Sequence, residues 1–196
     1  MKRLFDLLFS MVVLILFFPF GIIISLCIII DSRGGIFYKQ ERVGLNGAVF
    51  IILKFRSMYV KADSNGSLTV AKDPRITRVG WLIRKLKLDE FPQFLNVIAG
   101  QMSVVGPRPE VQEFVDLYTD VQREILRVKP GITDEASLAY FDENNMLSDS
   151  SNPKLTYIQE IMPRKIEINL KYISEKRWYS DAVVILKTML RILRIK

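Results

Sequence analysis

Between Leu7 and Ile30 the chain carries no charged residue, and this run constrains the fold more than any other feature. An unbroken helix over it is about 36 Å long, more than the roughly 30 Å hydrocarbon core of a bilayer. Lys2 and Arg3 give it the basic start of a signal peptide. The apolar stretch is longer than a signal h-region, however, and no small-x-small cleavage site follows, so we expect it to be retained in a membrane. Pro19, with Gly21 close behind, falls near its middle and divides it into two arms of around ten residues. Apart from Lys2 and Arg3, every basic residue follows Ile30, so both ends prefer the cytoplasmic side. A re-entrant helix–break–helix satisfies both ends, and an ordinary kinked span is the competing reading.

Composition narrows the chemistry. Histidine is absent from the 196 residues, which removes Ser-His-Asp and Cys-His nucleophile systems, His-based zinc sites and His-ligated haem. The single cysteine, Cys27, lies inside the apolar run and forms neither an intrachain disulfide nor a metal cage. Carboxylates, Lys/Arg, hydroxyls and a hard cation remain. Lys and Arg outnumber Asp and Glu by 28 to 21, a formal charge of +7 that suits an anionic partner. No groove-reading motif and no interleaved aromatic–basic platform is visible, so nucleic acid is not expected as that partner.

After the apolar run, residues 36–43 and 48–55 flank Asn46-Gly47 and predict a β-hairpin. Residues 62–74 form a polar segment that suits a surface loop. Residues 79–86 have a helical pattern, and 91–99 form a second short helix ended by Gly100. Residues 110–128 repeat apolar side chains at helical spacing and predict one longer helix. A polar, acidic loop is expected over 134–152, and a helical region over 154–176 with a break or new start at Pro163. Residues 181–196 join an apolar stripe to Lys187, Arg191, Arg194 and Lys196. This is either an interfacial amphipathic helix or a packing helix with a solvated basic face.

Three clusters carry chemistry. Lys54 and Arg56, at alternate positions of a strand end, point the same way and can share a phosphate. Asp89 and Glu90 stand just before a helix, where Asp89 suits an N-cap. Adjacent carboxylates also allow one to attack phosphorus while the other holds a divalent cation, with Arg84, Lys85 and Lys87 adding positive potential. Arg108 lies between Pro107 and Pro109, which fix its backbone and present its fork for bidentate phosphate binding.

In their order these segments resemble the bacterial sugar transferases, the monotopic polyprenyl-phosphate phosphoglycosyl transferases. The matching residues are Gln40-Glu-Arg-Val-Gly44, Lys54-Phe-Arg-Ser-Met58, Asp73-Pro-Arg-Ile-Thr-Arg-Val-Gly80, Leu88-Asp-Glu-Phe-Pro-Gln93, Asn96-Val97, Met102-Ser-Val-Val-Gly-Pro-Arg-Pro109 and Lys129-Pro-Gly-Ile-Thr133. The resemblance implies an α+β, mainly helical fold with a re-entrant membrane hairpin over residues 1–33 and a cytoplasmic catalytic domain over 34–196. A small β-hairpin and amphipathic interfacial helices complete it. It implies transfer of a sugar 1-phosphate from a UDP-sugar to polyprenyl (undecaprenyl) phosphate, releasing UMP. Asp89 matches the nucleophile, which forms an acyl phosphate with the phosphosugar, and Glu90 matches the carboxylate that engages Mg²⁺. Arg108 matches the phosphate-binding arginine. Lys54, Arg56 and Arg84 are assigned to the phosphate pocket, and Asp181 resembles a further acidic position near the active site. The expected setting is the cytoplasmic leaflet of a bacterial inner membrane, with membrane lipid and later glycosyltransferases as partners. An N-acetylated amino sugar is the preferred donor sugar.

Several positions depart from the family pattern: Phe18 before Pro19, Lys87 before Leu88-Asp-Glu, Gln101 before Met102-Ser, and Asp134 after Thr133. The last implies that residues 134–147 shape sugar or nucleotide recognition differently. The competing functional reading is a catalytically silent membrane scaffold of the same fold that recruits glycosyltransferases. The intact Asp89, Glu90 and Arg108 favour the enzyme.

Overall fold

The computed structural model describes residues 1–60 and 73–193. Most of the segment expected as a polar loop at 62–74 lies outside the described residues, as do Arg194 and Lys196.

The apolar run is one helix, α1 (Lys2–Asp31), with Pro19 inside it. Among the described residues it is the one helix long and apolar enough to cross a membrane. The break expected at Pro19 does not interrupt the helix. Proline removes one backbone donor and strains one turn, while the turns on either side keep their hydrogen bonds. Most of the apolar side chains of α1 are exposed, among them Ile15, Leu16, Phe18 and Phe20 around the proline. One stripe at helical spacing faces inward instead. Phe9 meets Phe94, Phe17 meets Phe91, and Ile28 is buried with Phe55 and Ile83. Burying Ile28 contributes about 1.5–3 kcal/mol, while Phe9 is half-buried and Phe17 stays exposed beside its partner ring.

Both ends of α1 are tied to the same folded body. Lys2 donates to the Val105 carbonyl at 3.0 Å, and Arg3 to the carbonyls of Val97 and Ile98. Asp6, 3 % exposed, accepts from the Ser103 hydroxyl and from the Val104 N–H at 3.1 Å. At the far end the Asp31 carboxylate accepts from the Val79 N–H at 2.9 Å.

The expected hairpin forms from β1 (Phe37–Val43) and β2 (Val49–Phe55), antiparallel with Val43 opposite Val49 and Phe37 opposite Phe55. Asn46 (φ 55°) and Gly47 (φ 78°) both take the left-handed backbone that this turn requires, which explains the Asn-Gly pair. Alternation places Tyr38, Gln40 and Arg42 on one face, with Lys54 opposite Tyr38.

Helices α2 (Arg78–Lys85) and α3 (Gln93–Ile98) follow as expected, with Gly100 (φ 85°) beyond the end of α3. Thr77 caps α2 by accepting from the Gly80 N–H. Asn96 joins α3 to the hairpin: its side chain accepts from the Leu53 N–H and donates to the Ile51 carbonyl and to Gln101.

β3 (Ser103–Val105) pairs in parallel with β4 (Gly131–Thr133). The two chains cross closely at Gly106 and Gly131. A Cβ on Gly131 would lie 2.1 Å from the Gly106 nitrogen, so only glycine fits there. The Lys129-Pro-Gly-Ile-Thr133 segment thus serves as the seat for Pro107-Arg-Pro109, and the Gly131 N–H donates to the Pro107 carbonyl.

The single helix expected over 110–128 is instead α4 (Gln112–Val115), α5 (Asp120–Arg123) and a 3₁₀ turn at Glu124–Arg127. Thr119 starts a new helix through a reciprocal capping box with Gln122, and this local signal overrides the longer apolar period. Of the recurring apolar positions, Phe114, Val115, Tyr118 and Ile125 enter one core cluster, whereas Leu117 and Val121 are exposed.

The acidic stretch over 134–152 is not a plain loop. It contains α6 (Glu135–Ala139), capped by Asp134, and α7 (Glu143–Ser148). The chain continues through α8 (Pro153–Thr156), a π-turn at Tyr157–Ile161, and α9 (Met162–Glu175), which Pro163 helps to start. The last helix is α10 (Ser180–Leu193), which buries Val184 in a second core cluster with Phe50, Ile52, Val97 and Met102.

Candidate active site

The hairpin, α2, the Pro107-Arg-Pro109 segment, α7 and the π-turn surround a cavity of about 600 Å³, within the range of small-molecule sites. Among the described residues, nine lining side chains are lysine or arginine, against four carboxylates: Asp89, Glu90, Glu110 and Glu143. Such a lining concentrates positive potential where a polyanion would lie.

Asp89 and Glu90 occupy a 3₁₀ turn at Leu88–Glu90, entered through Lys87 with φ 56°. Left-handed backbone at a non-glycine residue costs roughly 1–2 kcal/mol, and here it turns both carboxylates inward. Asp89 is not the helix cap that its position suggests. Pro92 precedes α3, and no side chain caps that helix. The Asp89 carboxylate is 8 % exposed and accepts no hydrogen bond from the described residues. Burial pushes its pKa up, the Glu90 charge adds to this, and Lys54, Arg84 and Lys87 offset only part of it.

Glu90 has the opposite surroundings. It accepts from Lys54 at 3.0 Å and from both terminal nitrogens of Arg108. Burial pushes its carboxyl up, but Arg108 and Lys54 together outweigh burial and hold it well below the usual carboxylate range. Arg108 is raised in turn, chiefly by the Glu90 charge, while burial lowers Lys54. Two neighbouring carboxylates are therefore driven apart in acidity. One is ionised and fully engaged; the other is buried with free lone pairs.

The cavity thus brings together Asp89, Glu90, Arg108, Lys54, Arg56 and Arg84. Arg56 lines the cavity, but its hydrogen bonds run elsewhere. The strand ends at Phe55, and the Arg56 guanidinium turns to the end of α1, donating to the Arg33 and Ser32 carbonyls. It fastens the membrane helix, leaving Lys54 as the cation directed at the carboxylates. Arg84 lines the cavity with a long 3.5 Å contact to the Ser57 hydroxyl. Asp181 does not line the cavity. It binds Lys2 at 2.6 Å, Lys176 and the Tyr172 hydroxyl, and so ties the start of α10 to the start of α1.

Sequence reasoning missed a supporting network. Arg42 donates to the Pro109 carbonyl at 3.1 Å and pairs with Glu110, which also accepts from the Tyr157 hydroxyl. Burial raises the Tyr157 hydroxyl, with Glu110 reinforcing it, so that hydroxyl remains a donor. Lys165 pairs with Glu143 at 2.7 Å beside the Tyr157 ring. Arg42 stood within a recognised segment, but its partners lie far along the chain, where no local spacing links them.

No group of three His, Cys, Asp or Glu side chains is placed to hold a metal among the described residues. A pair of adjacent carboxylates still fits a hard cation that takes most of its ligands from substrate phosphates and water, as Mg²⁺ commonly does.

The sequence profile described as "Bacterial sugar transferase" matches residues 1–195. The chain is 33 % identical to the exopolysaccharide production protein ExoY of Rhizobium meliloti, over 96 % of this chain and 83 % of that protein. It is 34 % identical to the uncharacterized sugar transferase EpsL of Bacillus subtilis, over 98 % and 87 %. A Klebsiella pneumoniae UDP-glucose:undecaprenyl-phosphate glucose-1-phosphate transferase is 36 % identical over 97 % of this chain, which spans 39 % of that longer protein.

Proposed function

Because the chain belongs to the bacterial sugar transferase family, we propose that it transfers a sugar 1-phosphate from a UDP-sugar to undecaprenyl phosphate, releasing UMP. One observation carries the reading: Asp89 is buried in the cavity, with no hydrogen-bond donor among the described residues and nine cations in the described lining.

In this mechanism an Asp89 oxygen attacks the sugar-bearing phosphorus, the bond from that phosphorus to the UMP oxygen breaks, and UMP leaves with the electron pair. The product is an acyl phosphate between Asp89 and the phosphosugar. An oxygen of the lipid phosphate then attacks the same phosphorus, the acyl–phosphate bond breaks, and the Asp89 carboxylate returns. Neither step requires a proton from the protein, which accords with the absence of histidine.

Burial makes the ionised Asp89 less stable in the resting site and therefore a better nucleophile, while Arg108 and Lys54 are set to meet charge that develops on phosphate oxygens. Glu90 holds these two cations in register. To hold Mg²⁺, Glu90 would exchange one of these contacts, and the metal ion would supply neutralisation of the diphosphate. With both ends of α1 tied to the body, the apolar helix would lie within one leaflet, bringing the cavity to the level of lipid phosphates.

The test is UMP release from a panel of UDP-sugars with undecaprenyl phosphate and Mg²⁺. Release with at least one sugar, dependent on the lipid phosphate, is expected. Silence with every donor, alongside intact binding of later glycosyltransferases, would support the scaffold reading instead.

A further inference from the structure

The cavity contains an ion pair that neither the proposed chemistry nor the support of the Pro107-Arg-Pro109 segment uses. Lys165 on α9 is 8 % exposed and pairs with Glu143 at the start of α7. A buried ion pair is a poor source of stability, because desolvation offsets most of the attraction. Its position on the wall of the cavity suggests recognition.

The other carboxylates there are already committed. Glu90 accepts from Lys54 and Arg108. Glu110 uses one oxygen for Tyr157 and the other for Arg42. Asp89 is the nucleophile of the proposed reaction. Glu143 meets Lys165 through Oε2, and its Oε1 has no partner among the described residues. The neighbouring Asn144 side chain also lines the cavity with its amide unengaged. A carboxylate oxygen that accepts beside an amide that both donates and accepts suits vicinal sugar hydroxyls.

We propose that Glu143, fixed by Lys165, acts with Asn144 as the subsite that reads the hydroxyl groups of the donor sugar and selects neutral over acidic sugars, an N-acetylated amino sugar included. The inference rests on the transferase reading and deepens it. The sugar is one oxygen away from the phosphorus that Asp89 attacks, so it must lie close to Arg108. Glu143 and Asn144 satisfy this by lining the same cavity as Arg108 and Asp89. The carboxylate accepts sugar hydroxyls and repels the carboxylate of a uronic acid. The remaining cations of the lining, Arg108 and Lys54 among them, are left for the two phosphates.

The experiment compares wild type, Glu143→Gln and Asn144→Ala for kcat/KM across UDP-sugars, including a UDP-uronic acid, and for inhibition by UMP, which lacks the sugar. Asn144 is exposed, so its variant keeps the fold. Each variant should lose about tenfold to a hundredfold on the preferred sugar, the worth of a hydrogen bond to a charged or oriented group. Glu143→Gln should narrow the discrimination against the uronic acid, and UMP inhibition should stay within about twofold of wild type in both.

Parallel weakening of UMP inhibition, with sugar ratios unchanged, would assign the corner to the nucleoside and overturn the proposal. So would no change in any readout. Wild type that turns over no donor would refute the transferase reading itself. Calorimetric binding of UDP-sugars against UMP would then still decide whether Glu143 senses the sugar.

Discussion

Asp6→Ala is the perturbation that best probes how the membrane helix is joined to the site. The Asp6 carboxylate is buried and accepts from the Ser103 hydroxyl at 2.9 Å and from the Val104 N–H at 3.1 Å. Alanine leaves both donors buried and unpaired, at about 1–3 kcal/mol for each group. For a chain of this length a loss of 1 kcal/mol lowers the melting midpoint by roughly 2–4 °C. The two lost contacts together predict a drop of roughly 5–20 °C. Asp6→Asn keeps one acceptor oxygen and should fall between wild type and alanine. Circular dichroism melting of nanodisc-reconstituted protein measures all three. Because β3 leads directly into the Pro107-Arg-Pro109 segment, Asp6→Ala should also weaken UMP inhibition. In a double-mutant cycle, Asp6→Ala and Ser103→Ala should be non-additive, since each removes the same contact. A midpoint for Asp6→Ala within a degree of wild type, or full additivity with Ser103→Ala, would refute the claim that this carboxylate docks the helix.

Asp89 must be ionised to attack, and burial with the Glu90 charge raises its pKa. The acid limb of kcat should therefore lie above the ordinary aspartate value of about 3.9, with activity rising as pH increases through it. Glu90 is held low and stays ionised across that limb. Lys54→Met removes a cation that draws Asp89 down, so it should move the limb upward and cut kcat by about 10²–10³. A limb that stays in place would contradict the electrostatic account. The same raised pKa has a sign for stability: the folded state binds the proton more tightly than the unfolded state, so the contribution of Asp89 to stability is present at low pH and lost as pH rises through its folded value. Asp89→Asn should accordingly melt above wild type at pH 8, with the gap closing towards pH 4. An Asn variant less stable than wild type at pH 8 would refute this.

Much of this arrangement was legible in the sequence because it is local. The Asn46-Gly47 turn, the strands beside it and the Pro107-Arg-Pro109 segment each depend on a few adjacent residues. The expected carboxylates and cations do meet, because the hairpin register and the close crossing of Gly106 and Gly131 bring Lys54, Glu90 and Arg108 together. Side-chain partners are less legible where distant groups meet. Arg56 lines the cavity yet donates to the carbonyls at the end of α1, and Asp181 meets Lys2 from almost the other end of the chain. Asp89 reads as a cap, yet the left-handed Lys87 shifts the turn so that its carboxylate enters the cavity. The helix expected over 110–128 failed at Thr119, where a capping box outweighs periodicity.

The central claim is that Asp89 becomes covalently bonded to the phosphosugar. It is tested most directly by incubating the protein with the UDP-sugar that it turns over, without lipid acceptor, quenching, and mapping the adduct by mass spectrometry. The account predicts a sugar-phosphate mass on the peptide containing Asp89, formed with UMP in equal amount, discharged by undecaprenyl phosphate and absent from Asp89→Asn. UMP formation at the wild-type rate by Asp89→Asn, or an adduct on another residue, would contradict it.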